Sequence, residues 1–249
     1  SVDYVLSLTD LEKTPGLYMD VAGLERMRRI MEEFGDPHRS FRSIHVAGSK
    51  GKGSTCALIA QGLMRAGERV GLYTSPHLHT IRERIRVNGE PVPEDDFREL
   101  VLRIKPVAER IGDVTTFEFL TSMAFLYFRD KGVSWGVIEV GLGGRLDATN
   151  IIEPEACVIT NISRDHTEVL GDSLMSIARE KGGIIKGCPV YIAPQEKEVL
   201  DVLLEISGER GARVFVVGRD ISWRRIDRGY NFQVFEVKTP RQVSLVDFA

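Results

Sequence analysis

Short apolar runs alternate with stretches of helical periodicity along most of the chain. The apolar runs are rich in Val and Ile and lack the polar alternation of a half-exposed strand, which indicates strands buried on both faces. We predict strands at 43–47, 69–74, 133–140, 156–160, 189–193 and 212–217. We predict helices at 21–34, 53–66, 94–111, 117–131, 173–186 and 196–208. This alternation predicts an α/β fold with a mostly parallel sheet and helices on both faces.

The pattern changes toward the C-terminal end of the chain. Residues 222–226, 231–238 and 242–248 resemble short strands separated by turn residues. This arrangement is typical of antiparallel hairpins. We therefore expect a small antiparallel β appendage near the C-terminus, after the α/β core.

Composition and charge are those of an ordinary globular protein. The chain has 249 residues, a formal net charge of −3, 43% hydrophobic residues and 28% charged residues. This balance gives no electrostatic basis for binding nucleic acid or an anionic membrane, and no apolar run is long enough to span a bilayer. Cys56, Cys157 and Cys188 lack metal-type spacing, so we expect reduced thiols in a cytoplasmic protein.

The strongest local signal is a glycine-rich turn after the first predicted strand. Residues 44–55 read IHVAGSKGKGST, so a strand, a glycine loop and a helix follow one another. This order aims backbone N–H groups and a helix N-terminus at phosphate. Lys52 can reach the outer phosphates, and the hydroxyls of Ser54 and Thr55 lie near any accompanying magnesium. The usual phosphate loop has a hydroxyl directly after the lysine, but Gly53 stands there, so this loop is a compressed variant.

Polar residues also follow the other predicted strands. Ser75 follows the second strand, Glu139 lies at the end of the third, and Asp165 and His166 follow the fourth. In an open α/β sheet, ligands bind beyond the carboxyl ends of the strands. Four strand ends therefore bring Lys, Ser, Glu and His to the same edge.

Glu139 lies in an apolar run and needs a partner, because an unpaired buried charge is costly. Magnesium is the favoured partner beside a phosphate loop, and a salt bridge to Arg145 or Lys52 is the alternative. His166 taken alone is more typical of a hydrogen-bonded structural residue, because magnesium prefers oxygen ligands. Asp165 is the simpler metal candidate.

Three further features leave their role open on the residues alone. Lys181 lies near the end of predicted helix 173–186 and there indicates a solvated helix lysine. Phe117 and Glu118, at the start of a predicted helix, are placed where they could face a planar ligand. The glycines of segment 141–144 follow Glu139, which favours a loop that contacts a ligand over a simple turn.

Seven blocks of sequence resemble, in order, the folylpolyglutamate synthase / dihydrofolate synthase family of the Mur ligase superfamily. These blocks are residues 45–54, 73–78, 83–89, 117–121, 139–150, 165–167 and 180–186. The commoner loop in that family reads G-T-N-G-K-G-S, and Ser49 and Lys50 replace T-N here. The glycines and Lys52 are kept, so ATP binding is still expected.

The resemblance implies an ATP-dependent, magnesium-assisted ligase. ATP would phosphorylate a carboxylate of dihydropteroate or a folate, and the amine of L-glutamate would attack the resulting acyl phosphate. The alternatives are another Mur-type amino-acid ligase and a nucleotide-binding module that is inactive without a C-terminal domain. We expect a cytoplasmic monomer without a nucleic-acid or membrane partner.

The resemblance also assigns roles to individual residues. It implies that Lys52, Lys181 and His166 are catalytic, with Lys181 carbamylated. The implied metal ligands are Ser75, Glu139, His166 and Lys181. The implied nucleotide-binding residues are Gly48, Ser49, Lys50, Gly51, Lys52, Gly53 and Ser54. The implied positions for the pterin-bearing substrate are Thr115, Thr116, Phe117, Glu118, Leu146, Asp147 and Ala148, with a weaker resemblance at 17–24.

Members of this family carry a second α/β domain that contributes ATP and glutamate contacts, and no segment of this chain matches it. We expect residues 1–220 to form the ATP-binding α/β domain and 221–249 its β appendage, with the C-terminal ligase domain absent from this chain. We also expect the chain alone to bind nucleotide weakly and to have little ligase activity.

Overall fold

A computed structural model describes residues 2–9, 21–164, 173–229 and 232–248. Its α-helices are α1 Val2–Ser7, α2 Val21–Glu33, α3 Lys52–Arg65, α4 Glu94–Ile111, α5 Thr116–Asp130, α6 Leu174–Gly182 and α7 Lys197–Glu209. Short 3-10 helices occur at Pro37–Arg39, Ile81–Arg84 and Ala148–Ile151. None of the helices in these ranges is long and apolar enough to cross a membrane.

Eight strands form the main sheet in the order β4-β3-β2-β5-β1-β6-β7-β8. They are β1 Arg42–Ala47, β2 Val70–Tyr73, β3 Ile85–Val87, β4 Glu90–Pro91, β5 Trp135–Glu139, β6 Ala156–Ile159, β7 Val190–Ile192 and β8 Val214–Val216. Six strands are parallel to their neighbours, namely β2, β5, β1, β6, β7 and β8. The other two, β3 and β4, add an antiparallel hairpin at one edge. The predicted α/β fold with a mostly parallel sheet is confirmed.

The C-terminal strands form a separate three-stranded antiparallel sheet in the order β11-β10-β9. They are β9 Ser222–Arg228, β10 Gln233–Lys238 and β11 Val243–Phe248. On β9 and β10, Arg224 pairs with Glu236 at 2.8 Å and Trp223 meets Phe235 edge to face at 5.5 Å. Such cross-strand pairs fix strand register, and the predicted antiparallel appendage is confirmed.

Strand register brings the carboxyl ends of the central strands together. Val46 of β1 is opposite Glu139 of β5, and Ala47 is opposite Ile159 of β6. Tyr73, the last residue of β2, is opposite Ile138. The segments that leave β1, β2, β5 and β6 therefore begin at one edge of the sheet, where parallel α/β folds bind ligands.

Helix α6 ends at Gly182, so the predicted end at residue 186 is wrong. A Cβ on Gly182 would lie 2.7 Å from Ile206 Cδ1, and one on Gly183 would lie 2.4 Å from Arg145 Cβ. The two glycines thus permit a close approach that a continued helix with side chains would prevent.

The sequence patterns missed the β3–β4 hairpin and the six-residue helix α1. The hairpin turns at Asn88 and Gly89, which have φ values of 51° and 85°. Asn-Gly is the strongest short hairpin signal, but its strands have only three and two residues. Strands this short leave almost no alternation to detect.

Candidate active site

The glycine loop connects β1 to the N-terminus of α3. Gly48 has a φ of 144° and Gly51, the residue before the helix, has a φ of 82°. A Cβ on Gly48 would lie 1.8 Å from Thr160 Oγ1. Only glycine fits at position 48. The loop turns so that the first N–H groups of α3 lie at the carboxyl edge of the sheet, and this is the geometry that binds phosphate.

Ser49 fixes this loop to the segment that follows β6. Its N–H donates to Asn161 O at 2.8 Å, and its hydroxyl donates to Ser163 O at 2.9 Å. The N–H of Ser163 donates back to Ser49 Oγ at 3.1 Å. Lys50 is exposed, whereas Lys52 is half-buried. The side chain of Ser49 therefore holds the loop in shape, and the two lysines lie in different environments.

Glu139 lies at the end of β5 with only 3% of its surface exposed. Its Oε2 accepts the N–H of Ser75 at 3.1 Å, and a Cβ on Gly53 would lie 3.3 Å from the same oxygen. Glu139 and Ser75 are thus adjacent, as predicted from the two strand ends. The contact also gives a physical reason for Gly53, because a side chain there would press on the carboxylate.

The thiol of Cys56 reports on the charges around the first turn of α3. Burial raises the pKa of Cys56 well above its usual value, with Glu139 raising it further and Lys52 lowering it. Both charged side chains therefore act on the same buried point in the helix. Lys52 and Glu139 therefore both lie close enough to the start of α3 to affect Cys56.

Lys181 is 2% exposed on α6, so the interpretation of a solvated helix lysine is wrong. The glycine-rich segment 141–144 packs directly on its backbone, because a Cβ on Gly144 would lie 3.0 Å from Lys181 Cα. Arg145, one residue further on, pairs with Glu180 at 2.8 Å. The glycine-rich segment 141–144 therefore packs tightly against α6, the helix that carries Lys181.

The predicted substrate residues at the start of α5 are held by internal contacts. Thr115 Oγ1 accepts the N–H of Glu118 at 3.2 Å, and Glu118 Oε2 accepts the N–H of Thr115 at 2.8 Å. Arg26 of α2 pairs with Glu118 at 2.9 Å. Thr116 Oγ1 donates to Val5 O at 3.2 Å. This capping box fixes the start of α5 and ties it to α1 and α2.

Phe117, in contrast, is half-buried and lies over the glycine-rich segment. A Cβ on Gly141 would lie 2.5 Å from Phe117 Cζ, and the ring centroid is 5.8 Å from that of Tyr73. Leu146 is half-buried at the other end of this segment, and Ala148 is 7% exposed. Of the predicted substrate residues, Phe117 and Leu146 offer apolar surface that a ligand could contact.

Asp147 is buried, and its carboxylate organises the glycine-rich segment. Its Oδ2 accepts the N–H of Leu142 at 2.9 Å, and its Oδ1 accepts the N–H of Thr149 at 3.0 Å as well as the Thr149 hydroxyl. That hydroxyl in turn lies 2.8 Å from His45 Nε2. Because the hydroxyl donates to Asp147, it accepts from His45, which is therefore protonated at Nε2.

His45 was missed as a functional candidate, although a single polar residue between Ile44 and Val46 was a signal. Burial lowers the pKa of His45 from its usual 6.5 to about 3, with Lys186 lowering it further. Its Nδ1 has no hydrogen-bond partner in the described part of the chain. A neutral imidazole in β1 thus links the start of the phosphate loop to Asp147.

The depressed pKa of His45 predicts a pH dependence of stability. The unfolded chain binds a proton at His45 below about pH 6.5, whereas the folded chain does so only near pH 3. Stability from this residue is complete above pH 6.5 and is lost as the pH falls. Urea unfolding measures the free energy of unfolding at pH 7 and at pH 5. Between these pH values, the native chain should lose about 2 kcal/mol more of this free energy than His45→Gln does. Equal losses in both proteins would contradict a neutral buried His45.

His166 and Asp165 lie outside the described residues, as do residues 17–20 of the segment 17–24. Within the residues that the structure describes, no three His, Cys, Asp or Glu side chains are placed to hold a metal ion. The described partners Glu139 and Ser75 are oxygen donors, and a buried carboxylate beside a phosphate loop suits a hard cation such as Mg²⁺. The metal site remains a prediction. The oxygen donors of Glu139 and Ser75 are compatible with it.

Comparison with known proteins identifies the family to which this fold belongs. The family model for the Mur ligase middle domain matches residues 46–244, and the chain belongs to this family. A dihydrofolate synthase/folylpolyglutamate synthase of Bacillus subtilis is 44% identical over 200 residues, covering 78% of this chain and 46% of that protein. The resemblance inferred from the sequence blocks is confirmed.

Solved structures agree with this relationship. Mycobacterium tuberculosis folylpolyglutamate synthase complexed with ADP superposes with a TM-score of 0.81 at 36% identity, covering 86% of this chain and 50% of that one. An FPGS–AMPPCP–folate complex superposes with a TM-score of 0.87 at 34% identity, covering 97% of this chain and 59% of that one. The chain spans about half the length of the curated relatives it matches.

Proposed function

We propose that this chain is the ATP-binding part of a ligase that joins L-glutamate to dihydropteroate or a folate through an acyl phosphate. The observation that carries the proposal is the buried carboxylate of Glu139, held by Ser75 N–H beside the first turn of α3. The relatives are named as dihydrofolate and folylpolyglutamate synthases, and one solved complex contains AMPPCP and folate. ATP, Mg²⁺ and the pterin-bearing acid are accordingly the proposed ligands.

The proposed mechanism begins with phosphate binding. The N–H groups of the glycine loop and the ammonium of Lys52 hold the outer phosphates and offset the charge that develops as the terminal phosphoryl moves to the substrate carboxylate. Ser75 and Glu139 would hold Mg²⁺, which would supply further positive charge to that phosphoryl group. His166 and a carbamylated Lys181 are proposed to complete the metal ligands. The amine of glutamate then displaces phosphate from the acyl phosphate.

The proposed substrate surface lies on the glycine-rich segment. Phe117 and Leu146 present half-buried apolar area beside it, which suits a planar pterin ring. Asp147 is proposed to act mainly by holding the backbone of its own segment, because its oxygens accept hydrogen bonds from Leu142 and Thr149. Thr115, Thr116, Glu118 and Ala148 are further proposed contact positions for the pterin-bearing substrate.

We also propose the domain division, the second substrate and the oligomeric state. Residues 1–220 are taken as the ATP-binding domain and 221–249 as its β appendage. Glutamate is the proposed second substrate, and the protein is proposed to be a cytoplasmic monomer. Another Mur-type ligase, acting on a peptidoglycan precursor, and an inactive nucleotide-binding module are the alternatives that an experiment must separate.

Calorimetry separates these functions. The chain is titrated with Mg²⁺–AMPPCP, and then with dihydropteroate or with a UDP-sugar peptide. We expect heat of binding for the nucleotide and for dihydropteroate. Binding of the UDP-sugar peptide instead would assign another Mur-type ligase, and binding of nucleotide alone would favour the non-catalytic module.

A further inference from the structure

Two of the three cysteines form a thiol pair at the sheet edge opposite the candidate active site. Cys157 is the second residue of β6, and Cys188 lies two residues before β7. Their Sγ atoms are 3.5 Å apart although the residues are separated by 31 positions in the sequence. The N–H of Cys157 donates to Pro189 O at 2.9 Å, and Cys157 is opposite Val190 in the sheet. Backbone pairing therefore fixes the two thiols side by side.

The surroundings of the pair make the two thiols chemically different. Cys188 is half-buried, whereas Cys157 is buried and its thiol lies 3.1 Å from Ile184 O. The contact between the two thiols is the main cause that lowers the pKa of Cys188 to about 7, while the same contact and burial raise the pKa of Cys157. Cys188 is thus the accessible thiol with thiolate character, the property that controls cysteine reactivity.

Charged groups near the pair come from several elements. Lys186 precedes Cys188 and donates to Asn150 O and Ile152 O, each at 2.7 Å, and its Nζ lies 3.7 Å from a Glu153 carboxylate oxygen. The other titratable groups in electrostatic contact with Lys186 are Arg28, His38 and His45. Burial lowers the pKa of Lys186, whereas Glu153 and Cys157 raise it, and the charge of Lys186 in turn lowers the pKa of Cys157.

We propose that Cys157 and Cys188 are a reversible oxidation site that closes an intramolecular disulfide when the protein meets a hydroperoxide. The Cys188 thiolate attacks one peroxide oxygen, the O–O bond breaks, and the departing oxygen takes a proton. The Cys157 thiol then attacks the sulfur of the Cys188 sulfenic acid, and its proton leaves with the hydroxyl group as water. The S–S bond forms as two electrons pass from the sulfurs to the hydroperoxide.

The geometry requires little movement for this reaction. An S–S bond is about 2.05 Å long, so the sulfurs must approach by about 1.5 Å from their separation of 3.5 Å. The bond would join β6 to the segment between α6 and β7, which contains Ile184 and follows the helix that carries Lys181. Oxidation would therefore tie the segment that leads into β7 to β6.

Thiol counting tests the proposal directly. The chain is treated with hydrogen peroxide, unfolded in guanidinium, alkylated with a maleimide and weighed by mass spectrometry. We expect the number of alkylated thiols to fall from three to one, with the remaining label on Cys56, and to return to three after dithiothreitol. Non-reducing digestion should give linked peptides that contain Cys157 and Cys188, from a chain that is still monomeric in mass.

Matched variants make the result specific. Cys188→Ser should keep both of its remaining thiols alkylable after peroxide, and Cys157→Ser should leave a Cys188 sulfenic acid that dimedone traps. Cys56→Ser, which removes a thiol outside the pair, should fall from two labels to none. Three alkylated thiols in the treated native chain, or oxidation of Cys188 to sulfinic acid without a link, would overturn the proposal.

The pH dependence of disulfide formation provides a second readout. With a Cys188 pKa of about 7, the oxidation rate should rise with pH and level off near pH 8. A rate that still rises about threefold between pH 8 and pH 9, as expected for an ordinary thiol with a pKa of about 8.5, would contradict the assignment of Cys188 as the attacking group.

Discussion

Replacing Lys52 by alanine is expected to lower the ligase rate of the full-length gene product by about 100- to 1,000-fold. Lys52 is the first residue of α3, and Glu139 lies at the same helix end. The ammonium is proposed to offset charge that develops on the transferring phosphoryl group, so its loss should reduce kcat more than it raises KM for ATP. Steady-state ADP release at saturating folate and glutamate measures this effect.

Lys50 provides the matched control for this change. It lies in the same loop and carries the same charge, but its side chain is exposed. Lys50→Ala should weaken nucleotide binding by at most about tenfold, because an exposed charge is screened by solvent. If Lys52→Ala and Lys50→Ala lost kcat equally, Lys52 would have no specific role and both lysines would act only through a general electrostatic effect.

Gly48→Ala should lower the free energy of unfolding by about 3–4 kcal/mol and disrupt nucleotide binding. The φ of 144° at Gly48 is unfavourable for any residue with a Cβ, and that Cβ would lie 1.8 Å from Thr160 Oγ1. Relief requires β1 and the segment after β6 to separate, and Thr160 N–H donates to Ala47 O at 2.8 Å at that point. Urea unfolding of the native chain and of Gly48→Ala measures this loss in the free energy of unfolding.

Gly51→Ala is the control for backbone strain alone. Gly51 also has a left-handed φ, of 82°, but no atom lies within 4 Å of its added Cβ. The cost should be about 1–2 kcal/mol, that of the backbone conformation. If Gly48→Ala were no more destabilising than Gly51→Ala, the close contact with Thr160 would not determine the shape of the loop.

Long periodic elements could be predicted from the sequence, whereas short elements and exact ends could not. Helix α4 spans Glu94–Ile111 as predicted because acidic residues start it and its apolar face is continuous. Helix α6 ends four residues before its predicted end because Gly182 and Gly183 pack against other segments. Such tertiary contacts cannot be read from the local sequence. The β3–β4 hairpin was missed because its ladder is too short to create a pattern.

The candidate site shows a similar division. The order of strands and polar residues was enough to place Glu139 beside Ser75 and the glycine loop. It could not show that Glu118 pairs with Arg26 or that Asp147 accepts hydrogen bonds from its own segment. These partners are set by side-chain packing between distant elements. The burial of Lys181 likewise depends on the glycine-rich segment packing on α6.

The most direct measurement is ADP release by the full-length gene product with dihydropteroate or tetrahydrofolate, L-glutamate, ATP and magnesium. The proposed function predicts turnover that requires the pterin-bearing acid and glutamate together, with transfer of ¹⁸O from the substrate carboxylate to the released phosphate. That transfer reports the acyl phosphate. ADP release that is independent of both acids, or phosphate without the label, would contradict an ATP-dependent glutamate ligase.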